Sequence, residues 1–167
     1  FDLGKLQLDP LLLGADRTLT DAEFIELRSH VARGVEMIRH SGLMNKDVLD
    51  MVAHHHERHD GSGYPGGLQG DSIPVFARIA AIVDCYDAIT SDRSYHTGLS
   101  AHDALTKMYS WRGRDFQPLL VEQFIQCMGI YPIGSVVELN NGSIGVVVSI
   151  NRTRRLRPKV AMVLNSD

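Results

Sequence analysis

His54-His55-His56-Glu57-Arg58-His59-Asp60-Gly61-Ser62-Gly63-Tyr64-Pro65 packs four of the chain's eight histidines into six residues and follows them at once with a glycine-rich turn. Imidazole is the commonest metal ligand in proteins. Successive side chains on a helix diverge by about 100°. Two adjacent histidines therefore do not share one ligand direction, but they can serve two metals lying side by side. The glycines let the chain turn sharply and bring backbone close to a ligand. A lone histidine here would read as a solvated helix end. A cluster of four, with acidic residues upstream and downstream, reads as metal binding.

Upstream of the cluster, the pattern predicts a helix from about Asn45 to Arg58, with Val48, Leu49 and Val52 inward and the histidines at its C-terminal end. Ser41-Gly42 closes the helix before it. That helix begins at Thr20, where Thr20-x-x-Glu23 fits a capping box. Phe24, Leu27, Val31, Val35 and Ile38 give it one apolar face, and His30 lies beside that face. Residues 1–13 carry Asp2, Lys5 and a set of leucines; Pro10 interrupts any helix there. Gly14-Ala15-Asp16-Arg17 reads as a loop. The chain opens at Phe1-Asp2-Leu3-Gly4-Lys5, inside a pattern, and a fragment of a longer protein is expected.

Downstream, a helix is expected over about 73–90, with Ile73, Phe76, Ala77, Ala80, Ile82, Val83 and Tyr86 buried. Asp84 and Asp87 share one face, three residues apart, inside an otherwise apolar stretch. A buried carboxylate is costly unless paired or metal-bound, which makes Asp84 a ligand candidate. Ser91 to His96 ends this helix. Ser100, with Asp103 three residues on, caps another helix to about Ser110. A last one covers 117–129, with Leu119, Leu120, Phe124, Ile125 and Met128 inward. After Gly129 the period changes. Val136–Leu139, Ile144–Ile150 and Val160–Leu164 read as strands, and Asn140-Asn141-Gly142 as a hairpin turn. The predicted organisation is a helical domain, 1–129, with a small β appendage, 130–167, packed on it. The loop Arg152–Lys159 holds five basic residues and reads as a solvated hairpin tip before a phosphate or acidic-partner contact.

Composition sets bounds on function. The chain has 167 residues, is 44% hydrophobic and 22% charged, and carries a net charge of −3, so no general attraction to a nucleic acid polymer is implied. It has no apolar run long enough to span a bilayer, and no signal peptide is expected. Cys85 and Cys127 fall in apolar helical patterns and read as reduced core residues of a cytoplasmic protein.

The metal candidates in order are Asp2, His30, His55, His56 and Asp84, mostly about 25–30 residues apart and on separate helices. Helical bundles build metal sites this way. Mixed histidine and carboxylate donors suit iron, manganese or zinc rather than calcium. Two such ions can activate hydroxide and stabilise an in-line phosphoryl displacement. The residues alone thus point to a metal-dependent phosphohydrolase or a metal-bound sensor.

The chain resembles the HD-GYP domains over nearly its whole length. The resemblance rests on Asp2-Leu3-Gly4-Lys5, on His30, and on His55-His56-Glu57 leading through Asp60-Gly61 to Gly63-Tyr64-Pro65. It also rests on Asp84-Cys85-Tyr86-Asp87-Ala88 followed by Thr90-Ser91-Asp92-Arg93-Ser94-Tyr95, and Gly129-Ile130-Tyr131-Pro132 is similar to the tail of one branch. The resemblance implies a mainly α fold, an HD-superfamily helical bundle with a small C-terminal antiparallel β appendage. It implies cyclic di-GMP hydrolysis in a bacterial signalling protein, at a centre of two or three divalent metal ions, iron or manganese. By motif position, Asp2 would bridge metals and His30, His55, His56 and Asp84 would be terminal ligands. Lys5 and Asp2 would be the catalytic pair, with Lys5 protonating the leaving oxygen. Tyr64, Asp87, Arg93 and His96 would hold the nucleotide, and Asp60 would fix the loop as a hydrogen-bond acceptor. The Gly-Tyr-Pro loop would be the surface for partners such as a diguanylate cyclase. Two departures stand out. The family's first histidine is Phe1, which cannot ligate, and its Arg-Pro-Tyr run is Arg93-Ser94-Tyr95-His96. A degenerate domain that senses nucleotide or binds a protein is therefore the alternative. Hydrolysis of another nucleotide by the wider HD superfamily fits the ligands but not the Gly-Tyr-Pro motif.

Overall fold

A computed structural model describes residues 1–92, 97–129, 131–151 and 157–163 of the chain. A 3-10 stretch, Asp2–Gln7, opens it. The helices follow as α1 (Pro10–Leu13), α2 (Asp21–Arg28), α3 (His30–His40), α4 (Lys46–His54), α5 (Val75–Thr90), α6 (Ala101–Ser110) and α7 (Pro118–Met128). A three-stranded antiparallel sheet closes it, β1 (Val136–Glu138), β2 (Ile144–Ser149) and β3 (Lys159–Met162), in the order β1-β2-β3. The mainly α architecture with a small β appendage is as the sequence implies.

The expected caps are present. The Thr20 side chain accepts from the Glu23 amide while Glu23 accepts from the Thr20 amide, a full capping box. Ser100 Oγ accepts from the Asp103 amide at 3.1 Å. Asn140-Asn141-Gly142 turns between β1 and β2, with Gly142 at φ +81° and its amide 2.8 Å from the Leu139 carbonyl. Leu164, expected in the third strand, and residues 152–156 of the basic loop lie outside the described residues.

Several expectations are corrected. The helix expected from Thr20 to Ser41 is divided at Ser29, whose hydroxyl donates to the Glu26 carbonyl at 2.6 Å. That bond competes with the helical ladder. Pro10 opens α1 instead of only ending a helix: it sits in the first turn, where its missing N–H costs nothing, behind an Asp9 cap. The helix expected to reach Arg58 stops at His54, so His55 and His56 stand on the turn beyond it. Phe24, Phe76, Val83, Leu119 and Cys127 are exposed, not buried. In α5 the buried face is Ala77, Ala80, Ala81 and Ile82, whose small side chains let neighbouring helices approach closely. In α7 the deep position is Val121, two residues on from Leu119.

The core joins α5, α6 and α7 through Ala81, Ile82, Met108, Phe116 and Val121, with Tyr86, Trp111 and Phe124 against them. At the other end, the 3-10 stretch lies on α3 backbone to backbone. A Cβ on Gly4 would fall 1.8 Å from the His30 carbonyl oxygen and 2.6 Å from the Gly34 nitrogen. Only glycine permits that approach, and it brings Asp2 beside His30.

Candidate metal centre

Each clustered side chain is delivered by a helix end or a turn. Asp2 begins the 3-10 stretch, His30 begins α3, and His55 caps α4 with His56 next to it. His30 Nδ1 lies 2.6 Å from the Leu27 carbonyl and His55 Nδ1 lies 2.9 Å from the Val52 carbonyl. A carbonyl only accepts, so each Nδ1 carries the proton and each Nε2 presents a lone pair. Those lone pairs point at one oxygen. His30 Nε2 is 3.3 Å and His55 Nε2 3.6 Å from Asp2 Oδ1. His56 Nε2 stands 3.2 Å from His30 Nε2. One donor atom from each of Asp2, His30, His55 and His56 lies within 4.8 Å of every other.

Acceptors converging without donors repel one another unless a cation sits among them. Asp2 Oδ1 and His55 Nε2 are buried and lack a hydrogen-bond partner. Buried polar atoms are otherwise nearly always satisfied. A divalent metal would supply what is missing, and the mixed nitrogen and oxygen donors suit it. Burial, with the neighbouring His55 and His30, pushes His56 down to about 3, so its ring stays neutral, the form that ligates. Burial raises the Asp2 carboxyl, but its polar contacts with His30, His55 and Lys5 outweigh this and hold it well below the ordinary carboxylate range.

Asp84 stands beside this group rather than in it. Its Oδ2 is 4.0 Å from His56 Nδ1. Burial and the charge on Asp2 raise its carboxyl, the signature of an acid short of a positive partner. Lys5 donates from Nζ to Asp2 Oδ2 at 2.9 Å. Phe1 tilts its ring against His55 with 4.7 Å between centroids.

A cavity of about 780 Å³ adjoins the cluster, lined by Lys5, His30, His56 and Tyr64 together with Leu12, Leu13, Leu19 and Leu27. Asp16, Arg17 and Thr18 also line it. Its size is in the range of small-ligand sites. Tyr64 lies with its ring stacked on His56, 4.7 Å between centroids, and burial pushes its hydroxyl up to about 12. Asp60 accepts from the Ser62 amide at 2.9 Å, the loop-fixing role expected of it. Asp87 is exposed one turn beyond Asp84 and is not among the cavity's lining residues. Arg93 and His96 lie outside the described residues.

Glu57 stands in the motif quoted above, but the sequence assigns it no role. It is 2% exposed, and its two oxygens accept from the Gly66 amide at 2.7 Å and the Leu68 amide at 3.0 Å. Its signal was an acid at the entrance of a glycine loop, whose many free amides need acceptors. Arg28 was also missed: its guanidinium lies 4.6 Å over Tyr64 and 4.6 Å over Phe24.

Residues 1–120 match the family described as HD domain, and residues 136–167 match a KOW domain associated with HD domain. The chain is 39% identical over 165 residues to a cyclic di-GMP phosphodiesterase of Pseudomonas aeruginosa, covering 99% of this chain and 40% of that protein. It is 36% identical over 126 residues to a 3'3'-cGAMP-specific phosphodiesterase of Vibrio cholerae, covering 75% of this chain and 24% of that one. Among solved structures, an HDG"Y"P protein from Bdellovibrio bacteriovorus shares the fold, with a TM-score of 0.56, 15% identity and coverage of 72% of this chain and 38% of that one. The chain thus spans two fifths or less of the length of these relatives.

Proposed function

This chain belongs to the HD domain family and carries the Gly63-Tyr64-Pro65 signature of its HD-GYP branch, and on that premise we propose that it hydrolyses a phosphodiester bond of cyclic di-GMP in a metal-dependent reaction. One observation carries the reading. Four donor groups converge, and two of them, His30 and His56, line a cavity large enough for a dinucleotide together with Lys5, whose Nζ donates to Asp2.

Asp2, His30, His55 and His56 would hold two or three divalent ions, iron or manganese, with Asp84 completing the set on the His56 side. Bound there, such ions supply Lewis acidity and charge neutralisation at a phosphodiester. The rest falls to the chain's own groups. Lys5, whose Nζ donates to Asp2 Oδ2, would stand as the general acid toward the leaving oxygen. The leucine wall receives the bases and excludes water from their faces. Tyr64 borders the nucleotide; Asp87, Arg93 and His96 are its further proposed contacts. The exposed Pro65-Gly66-Gly67 end of the loop is the proposed meeting point for a signalling partner such as a diguanylate cyclase. Among the described residues no helix is long and apolar enough to cross a membrane, in keeping with a proposed cytoplasmic place of action.

Phe1 favours a second reading, a domain short of one ligand that binds nucleotide without turning it over. Product analysis decides between them: anaerobic incubation with Fe(II) or Mn(II) and cyclic di-GMP, for the wild type, Asp84→Ala and Phe1→His. Linear dinucleotide or GMP from the wild type, lost in Asp84→Ala, is the expected result. Tight nucleotide binding with no product, unchanged by Phe1→His, would replace the enzyme with the sensor.

A further inference from the structure

Backbone aims two of the three clustered imidazoles. His30 and His55 are tethered through Nδ1 to the carbonyls of Leu27 and Val52. His56 is different. Its Nε2 faces His30, and its Nδ1 is 4.0 Å from the Asp84 carboxylate, beyond hydrogen-bond reach. Its ring instead lies against Tyr64, 4.7 Å between centroids and 25° between planes. The Tyr64 amide donates to the His56 carbonyl at 3.2 Å.

The loop that carries Tyr64 is pinned on the histidine turn. A Cβ on Gly63 would lie 2.3 Å from the Arg58 nitrogen and 2.5 Å from the His56 carbonyl oxygen, so main chain rests on main chain there. Glu57 draws in the far side of the loop through the amides of Gly66 and Leu68. Its carboxylate spans nine and eleven residues of chain and stands next to the ligand it serves.

We propose that Tyr64 and Glu57 are positioning residues for His56: the Tyr64 ring fixes the plane of the imidazole, and Glu57 fixes the loop that carries the ring. Together they do for His56 what the carbonyls of Leu27 and Val52 do for its neighbours. Outer partners of this kind typically set metal affinity by about 10–100-fold. The inference rests on the metal-holding reading above and is independent of which phosphodiester is cut. It gives Tyr64 a task that a ring performs and a hydroxyl does not.

The test is Mn(II) titration of the full 167-residue chain, read from the electron paramagnetic resonance signal of the free ion, with no nucleotide present. Tyr64→Phe keeps the ring and is expected to bind Mn(II) as the wild type does. Tyr64→Ala is expected to bind about 10–100-fold more weakly. Glu57→Gln turns one acceptor into a donor facing an amide and is expected to weaken binding in the same direction. Circular dichroism at the assay temperature selects variants whose helices are intact. A role in stability alone would lower the melting temperature and leave Mn(II) affinity of the folded chain unmoved, and that result overturns the proposal. Equal losses in Tyr64→Phe and Tyr64→Ala also overturn it, because they assign the effect to the hydroxyl. A wild type that takes up Mn(II), loses it in Tyr64→Ala and makes no product from cyclic di-GMP upholds this inference while sinking the proposed function. A wild type that takes up no Mn(II) overturns both.

Discussion

Gly4 shows how tightly single residues constrain this centre. With the His30 carbonyl oxygen 1.8 Å from where a Cβ would stand, Gly4→Ala forces the 3-10 stretch off α3. The expected cost is roughly 1–3 kcal/mol in urea unfolding, typical of overpacking, with a loss of Mn(II) affinity as Asp2 leaves His30. The two cysteines separate by the same local reasoning. Cys127 is exposed, while burial pushes the half-buried Cys85 thiol up to about 11. Iodoacetamide at mildly alkaline pH should label Cys127 first, as peptide mass spectrometry would show; equal labelling would mean that α5 is open to solvent. Asp2, His30, His55 and His56 were legible in the sequence because ligand chemistry restricts residue type so strongly. Glu57 was not, since an acid after histidines reads as a solvated helix end until the loop folds back on it. The exposure of Phe24 was hidden too, because its place under Arg28 depends on a side-chain stack that periodicity does not encode.

Among elements, α2 depends most visibly on its first turn. Thr20→Ala should cost about 1 kcal/mol by removing the cap, measured as a shift in the urea midpoint. The partner acid adds a pH signature. Arg17, and then Thr20, hold the Glu23 carboxyl well below the ordinary glutamate range. A group lowered in the folded state contributes fully above its unfolded pKa and loses that contribution on acidification. The difference between wild type and Thr20→Ala should therefore narrow as pH falls below the ordinary glutamate pKa. Capping boxes are visible in sequence because their hydrogen bonds are local. The division at Ser29 was not, for the apolar spacing runs through it unbroken and a single hydroxyl bond decides it. The early stop of α4 has a similar origin: the Glu57 amide turns back on the His54 carbonyl, three residues behind it, and His55 Nδ1 takes the Val52 carbonyl.

Across the whole molecule, the clustered donor groups and the core shared by α5, α6 and α7 both lie before Gly129, while the sheet follows it. A chain of residues 1–129 should accordingly keep its helical circular dichroism and its Mn(II) affinity. A collapse of either would show that the sheet is part of the frame. The order of helices then strands could be read from the change in hydrophobic period. Which side of α5 faces inward could not, because apolar residues surround that helix and only the small size of Ala77, Ala80 and Ala81 selects the packed face. The two halves of the centre share one kind of support. Gly4 seats the 3-10 stretch on α3 and Gly63 seats the loop on the histidine turn, each with main chain against main chain. The distance between Asp2 and the histidine turn is thus set by the path of the backbone, at two glycines where no side chain fits, and not at any of the donors themselves.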